Sequence, residues 1–524
     1  MKAAKATMKP ALPVLVAALA LIVPSCMVGP DYVTPESKVA DQWVETPPTE
    51  PSPTGIAEAL WWRGLDDPAL NQLVDAAYQN NLTLQVAGVR VLEARARLSQ
   101  SIGELFPQQQ VLSGQFDYTR ESTPGVRRDL LSDQVLVAAT WEIDFWGKFR
   151  RGIESDRAAL LGSVAAYDDA LVTLIADVAG NYVNIRTLEE RLRVAAKNVE
   201  TQKEGLRIAT VRFKAGETGE RDTLQAATQL AQTQATVPRL QETLRQTKNS
   251  LAVLLGDTPN HVDQRLTGTS RIPPAPAKVT VGIPKDLLRR RPDVRAAGLA
   301  AASKCALIGV AKSELYPAFS LSGEFGGASS NQGSGSLANL FNWRHRAVGA
   351  GFGFAFPLLD YDRLENQVRV QDAQFEESVL QYQNTVLAAQ QEVEDGLAVF
   401  INEQQAVALL TQAATAARRS TELAMIQYKG GQTDYTTVLT AEQAQLAVED
   451  ALASAQGNVV LGLISIYRAL GGGWELRDGH DVVPDEIKAD MARRTDWGKL
   501  LELEKTRKDT EAEARTPPER GDAK

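Results

Sequence analysis

Only two cysteines occur among 524 residues, Cys26 and Cys305; if Cys26 is acylated, Cys305 has no partner and no disulfide is expected within the chain. The three histidines, His261, His345 and His480, lie far apart in predicted loops or tails, with no metal-ligand spacing. No phosphate-binding loop is present. Gly349-Ala350-Gly351-Phe352-Gly353 alternates glycine with apolar residues as a strand does, and its glycines read as lumen-facing or closely packed strand positions. These absences leave no enzyme site to propose. The net charge is −9 with no basic stripe, which is a poor footprint for nucleic acid. Aromatics make up only 6%, too few for an ordinary mixed core, while Ala, Gln, Leu, Val and Thr suit long helices. Beyond the first 25 residues no uninterrupted apolar run reaches about 18 residues, so no transmembrane helix is expected. Proline is missing from Gly147 to Phe213 and again from Asp362 to Tyr428, each 67 residues long.

The N-terminus reads as a targeting segment. Lys2, Lys5 and Lys9 precede the apolar stretch Ala11 to Val23, which as a helix rises about 20 Å and falls short of a bilayer core. Residues 1–25 are therefore taken as a signal peptide, whose removal takes the net charge to −12. Val23-Pro24-Ser25-Cys26 resembles a bacterial lipobox, which implies acylation of Cys26; the alternative is nearby cleavage with Cys26 left as a thiol. Several acyl chains, at about 0.8 kcal/mol per buried CH₂, would anchor the chain firmly. In such lipoproteins a residue other than Asp after the cysteine implies outer-membrane sorting, and here it is Met27.

The strongest signal is an internal repeat. Leu105-Phe106-Pro107 returns as Leu315-Tyr316-Pro317, 210 residues on. Phe213-Lys214-Ala215-Gly216 returns as Tyr428-Lys429-Gly430-Gly431, and Leu255-Gly256 as Leu470-Gly471, both 215 residues on. Residues 60–256 and 282–471 thus share one plan, joined by a Pro-rich linker within 257–281; residues 26–59 form an extended lead-in and 472–524 a charged C-terminal segment. Each repeat reads helix, strand, strand, long helix, turn, helix. The first begins with a helix from Asp66 to Glu104 and the strands fall near 108–120, 133–146, 316–327 and 346–360. The long helices cover 147–213 and 362–428, about 100 Å each, and shorter partners cover 218–255, with a kink at Pro238, and 434–470. Gly326 to Ser336 reads as a flexible external loop, and the end beyond Lys508 as disordered.

Period-two alternation over about ten residues, four times in pairs, is the pattern of transmembrane β-strands; the competing reading is a half-buried soluble sheet. Gln115, Thr119, Glu142, Ser320, Ser322 and Glu324 would face water, and Tyr118, Trp146, Tyr316 and Tyr361 would form interfacial girdles. Four strands cannot close a barrel and open edges are not tolerated in lipid, so each chain supplies part of a shared barrel. Two copies would give a plugged eight-stranded barrel and three a twelve-stranded one with a lumen. The long helices would project about 100 Å into the periplasm as a tube.

The run Cys26-Met27-Val28-Gly29-Pro30-Asp31-Tyr32-Val33-Thr34-Pro35, the two Phe/Tyr-x-x-Gly tips, Leu315-Tyr316-Pro317, Leu359-Asp360-Tyr361 and Ala469-Leu470-Gly471-Gly472-Gly473-Trp474 resemble the TolC-like outer membrane factor family, in its NodT-type lipoprotein branch. The resemblance spans the chain to about residue 476. It implies a homotrimer with a twelve-stranded β-barrel continued by an α-helical tunnel. It also implies docking to a periplasmic adaptor and an inner-membrane RND transporter, and no cofactor beyond the lipid on Cys26. In the family the two helix–turn–helix tips close the resting tunnel and contact the adaptor. That points to Gly216 and Gly431 as helix C-caps, Thr218 and Thr433 or Asp434 as the following N-caps, and Asp434 as a candidate pore carboxylate. The alternatives are a duct for secreted proteins and a lipid-anchored coiled-coil scaffold without a pore.

Overall fold

The computed structural model describes residues 27–45, 59–124, 126–266, 270–276, 290–331 and 340–502. Cys26, residues 267–269 and 277–281 of the linker region and the charged end beyond Lys508 lie outside them. Its contacts divide the chain into two compact units, one formed by the described parts of Met1–Glu36, Leu92–Ser163 and Ala297–Tyr382, the other by those of Ser37–Val91, Val164–Ala296 and Gln383–Lys524.

In chain order the helices used below are α1 (Pro68–Asn80), α2 (Leu82–Gly103), α3 (Lys148–Lys214), α4 (Glu220–Leu254), α5 (Pro292–Ser313), α6 (Arg363–Lys429), α7 (Tyr435–Ala469) and α8 (Asp485–Arg494). The strands are β1 (Gln109–Thr123), β2 (Val126–Ile143), β3 (Ala318–Ser330) and β4 (Arg346–Ala355). They form one antiparallel sheet in the order β1-β2-β3-β4. TolC-like architecture is thus present in outline: a small sheet, two 67-residue helices, and two 35-residue partners.

The first unit holds the sheet. Its register places Thr140 beside Ser322, Glu142 beside Ser320, and Gln115 beside Gln134. Ser320, Ser322 and Glu324 oppose Gly353, Gly351 and Gly349. The glycines make room there, since a Cβ on Gly351 would come within 2.8 Å of the Ser322 hydroxyl and one on Gly349 within 2.7 Å of the Glu324 carboxylate. The other face carries Leu112, Phe116, Val137, Phe325, Val348, Phe352 and Phe354, all more than half exposed. A soluble sheet would bury that face against a second layer; here it is bare, as a lipid-facing surface is. At the end of β2, Trp146 stacks on Tyr316 at 4.6 Å and donates to the Pro317 carbonyl at 2.8 Å.

The strands differ from their expected bounds for identifiable reasons. β1 and β2 run on toward a tight turn around Pro124, so Tyr118 sits within β1 rather than at its end. β2 stops at Ile143 because Asp144 turns to the next helix, accepting from the backbone N–H of Phe149 at 3.1 Å and of Arg150 at 3.0 Å. β3 continues through Gly326-Gly327-Ala328-Ser329-Ser330, which the sequence presents as loop; these residues pair with Ser132 to Leu136 of β2. A Cβ on Gly326 would run into the Leu136 backbone, so glycine here marks close strand approach rather than flexibility. β4 ends at Ala355, before Tyr361 and Asp362 turn with positive φ. Asp362 stands 215 residues after Gly147, which has φ +83 at the start of α3, so both repeats enter their long helix through a left-handed residue.

The lead-in chain lies on this unit. The Val28 N–H donates to the Trp146 carbonyl at 3.0 Å, and the buried Arg151 guanidinium reaches the carbonyls of Val28 and Gly29 and the Asp31 carboxylate at 2.8 Å. Cys305 is a free, buried thiol turned toward the Pro30 carbonyl.

The second unit is helical. The helix read from Asp66 to Glu104 is two helices, α1 and α2, because Asn81 takes extended backbone angles. Its side-chain oxygen accepts from the Leu84 N–H at 2.8 Å and its amide donates to the Leu254 carbonyl at 2.9 Å. α4 runs through Pro238 as one helix. α3 and α5 each contain a window apolar enough on average to cross a membrane, although charges interrupt it. In α3 half of that window is buried inside the protein, as in any core helix. The Gly-rich end of α7 packs by its φ angles: Gly471 and Gly473 are left-handed, and Gly473 lies against Trp61, Trp62 and Ile175.

Candidate functional site

The tips are two helix–turn–helix hairpins of the helical unit, α3–α4 and α6–α7. Both long helices end in the same cap. The Gly216 N–H donates to the Phe213 carbonyl and the Glu217 N–H to that of Arg212; the Gly431 N–H donates to Tyr428 and the Gln432 N–H to Gln427. Gly216 has φ +74 and Gly431 φ +71, so a side chain would strain either turn.

The following N-caps diverge. Asp434 caps α7, accepting from the Thr437 N–H at 3.3 Å. The matching cap of α4 is Gly219, not Thr218 as the sequence suggested, and it supplies no side-chain acceptor. Thr433 donates its hydroxyl to Thr437 at 2.8 Å rather than capping. Asp434 remains 54% exposed at its side chain and lies 4.0 Å from the Arg221 guanidinium of the other hairpin.

Three residues that sequence reasoning did not single out tie the hairpins together. Arg212 of α3 donates to the Tyr428 carbonyl and lies over the Tyr428 ring, 4.7 Å from its centre. The Tyr428 hydroxyl donates to the Asp222 carboxylate of α4 at 3.3 Å. Tyr428 packs edge-on against Tyr435 at 5.2 Å, and both rings are buried. Around them lies an apolar cluster of Ile208, Ala209, Ala226, Ala424 and Val438. Burial pushes both phenols up from their ordinary range. Tyr428 looks like a plain core position, and only its repeat partner Phe213, which lacks the hydroxyl, hints at a polar job.

Away from the cap, the seam between α3 and α7 turns polar. Asn198 of α3 donates to the buried Glu449 of α7 at 2.9 Å, and Arg418 of α6 pairs with the same carboxylate. Burial alone would raise Glu449, but Arg418 and Asn198 hold it below the usual carboxylate range. Arg191 grips Asp450 with two bonds of 2.8 and 2.9 Å. Among the described residues no group of three or more His, Cys, Asp or Glu is placed to hold a metal.

A lipid-type sheet, paired long helices and hairpin tips locked by polar side chains define a TolC-like outer-membrane channel. The chain belongs to the outer membrane efflux protein family, whose model matches it twice, over residues 73–257 and 283–472. Nodulation protein T of Rhizobium leguminosarum bv. viciae is 29% identical over 462 residues, covering 87% of this chain and 93% of that one. The probable efflux pump outer membrane protein TtgC of Pseudomonas putida is 28% identical over 482 residues, with 88% and 96% covered. The solved outer-membrane channel OprN superposes with a TM-score of 0.78 at 32% identity, covering 86% of this chain and all of that one. The Campylobacter jejuni CmeC channel shares the fold at 21% identity and TM-score 0.78. The chain is thus an outer-membrane efflux channel, and the double match follows its internal duplication.

Tyr428→Phe should leave the fold intact while removing one bond to a carboxylate. At about 1 kcal/mol, hydrogen exchange of amides near residues 205–230 should speed up roughly fivefold. Unchanged protection would remove the Tyr428–Asp222 pair from the tip lock.

Proposed function

We propose that three copies form the exit duct of a tripartite efflux system, fed by a periplasmic adaptor and an inner-membrane RND transporter. The observation that carries this is the bare apolar sheet with β1 and β4 as unpaired edges. In lipid an open edge leaves backbone N–H and C=O groups without partners at several kcal/mol each. Pairing β4 of one copy with β1 of the next removes both edges, and three copies give a lumen. The helical unit supplies the periplasmic tunnel. Opening requires no chemistry in this chain; the tips move apart as packed helices shift. Relatives named for toluene efflux and pyoverdine export favour small molecules over secreted proteins as cargo.

Two parts of this reading concern single residues. Cys26 carries the lipid. The next residue, Met27, lies against Gly147 at the junction of β2 and α3, which would hold the acyl chains beside the aromatic stack of Trp146 and Tyr316. At the tip, Gly216, Thr218, Gly431, Thr433 and Asp434 form the gate and the adaptor-facing turns, with Asp434 as the carboxylate presented to permeating ions.

Purified full-length material should migrate as a heat-modifiable trimer and conduct ions in planar bilayers, and a deletion strain should become more susceptible to small toxic compounds with its secretion profile unchanged. A soluble monomer without conductance would leave only the scaffold reading. Mass spectrometry should find acyl chains on Cys26 that Cys26→Ser lacks; a bare thiol there removes the anchor. Asp434→Asn keeps the cap and deletes the charge, so single-channel conductance for anions should rise and multivalent-cation block weaken. Unaltered block would take Asp434 out of the gate.

A further inference from the structure

We infer that Glu442 makes the α3–α7 seam proton-sensitive, so that the tip closes more tightly when this carboxyl is protonated. The inference rests on the reading of the tips as the gate. Glu442 is 1% exposed. Among the described residues its Oε1 has no hydrogen-bond partner, and its Oε2 receives one long bond, 3.5 Å from the Tyr435 hydroxyl. Across the seam α3 presents Gly205, whose missing side chain leaves nothing to donate. A Cβ there would stand 3.3 Å from Oε1 and 2.9 Å from the Tyr435 hydroxyl. On the third side α6 brings the Met425 methyl to the same spot.

The ionisable groups around this carboxyl are few. Tyr435, on its own helix, is the one that acts on Glu442 directly. Tyr428 of α6 and Asp222 of α4 act on Tyr435 behind it. None of the three is a cation. An ionised Glu442 would therefore sit beside Tyr435 and Met425, both part of or packed on the apolar tip cluster, without a counter-charge among these neighbours. Glu449, two turns further along α7, shows what the seam does with a carboxylate it keeps charged, since Arg418 and Asn198 both bond it. Packing does not call for the acid: 215 residues earlier, the repeat has Ala227 at the matching place.

Burial pushes Glu442 up to about 7, while the Tyr435 bond pulls the other way. Once the seam parts and water enters, the carboxyl returns toward its ordinary value of 4.5. The closed packing therefore binds the proton more tightly than the opened one. Closure is strongest at or below the ordinary carboxylate range, weakens as pH rises, and has lost the whole contribution just above 7. Between pH 5 and pH 8 the closed-to-open ratio should fall roughly 70-fold per subunit.

The test uses the full-length channel in planar bilayers from pH 5 to pH 8. Wild type should spend less time closed as pH rises. Glu442→Gln, which mimics the protonated acid in shape, should stay as closed as wild type at pH 5 throughout. Tyr435→Phe removes the Tyr435 bond to the carboxylate and should move the midpoint to higher pH, a shift that a purely structural role would not produce. A flat wild-type profile, in a channel that Tyr428→Phe does open, would overturn the inference and leave the gate standing. If neither pH nor the tip substitutions alter conductance, it is the gate reading that fails. Hydrogen exchange over 199–212 and 433–446, corrected for intrinsic rates, then decides the seam. Protection that falls with pH in wild type and not in Glu442→Gln upholds its titration; equal profiles overturn it.

Discussion

The structure depends on one constraint: a sheet with an apolar face and two open edges cannot stand alone in lipid. Each backbone group left unpaired along β1 or β4 would lack both water and a partner. A chain that contributes only four strands is therefore an incomplete object, and its features make sense as fractions of a ring. Both repeats contribute a strand hairpin, a long helix and a half-length partner, and both enter and leave their long helices through left-handed residues spaced 215 apart. Duplication gives quasi-equivalent wall segments from one gene product, which is economical for a cylinder. It also fixes the strand count per chain at four, a number too small to close early and trap a monomer.

The repeats agree where backbone geometry rules and differ where side chains meet at the tip. Gly216 and Gly431 are interchangeable because their φ angles demand glycine. Gly219 faces Asp434 across the duplication, Asp222 faces Thr437, and Ala227 faces Glu442. Each difference puts a carboxylate on one hairpin and removes it from the other. The lock then runs between unlike partners, with Arg212 and Asp222 on one hairpin and Tyr428 on the other.

The scaffold was legible because its signals are periodic. Alternation of Val348, Phe352 and Phe354 with Ala and Gly marks β4, and proline-free runs mark α3 and α6 to within a residue of their ends. The misses come from residues whose composition argues one way and whose partners argue another. Gly326 to Ser330 has the makeup of a linker, yet it pairs with β2 because glycine lets the strands approach. Asn81 is unremarkable inside a helical pattern until Leu84 and Leu254 are seen bonded to it. Tyr428 and Asp222 are 206 residues apart, and no local pattern announces their meeting. Asp434 was legible as a cap because capping is a local matter.

A polar seam near a moving tip has an energetic logic. Helices joined only by Leu and Val would separate at about 25 cal/mol for each Å² of apolar surface wetted. Over a seam of several turns that sum would make the helices hard to part. Asn198, Gln202, Gln445 and Glu449 replace part of that apolar contact with groups that water can satisfy once the helices part. Across the packed seam Asn198 bonds Glu449 and so fixes the register. The seam thereby holds one register without the full apolar contact that would make its helices hard to part.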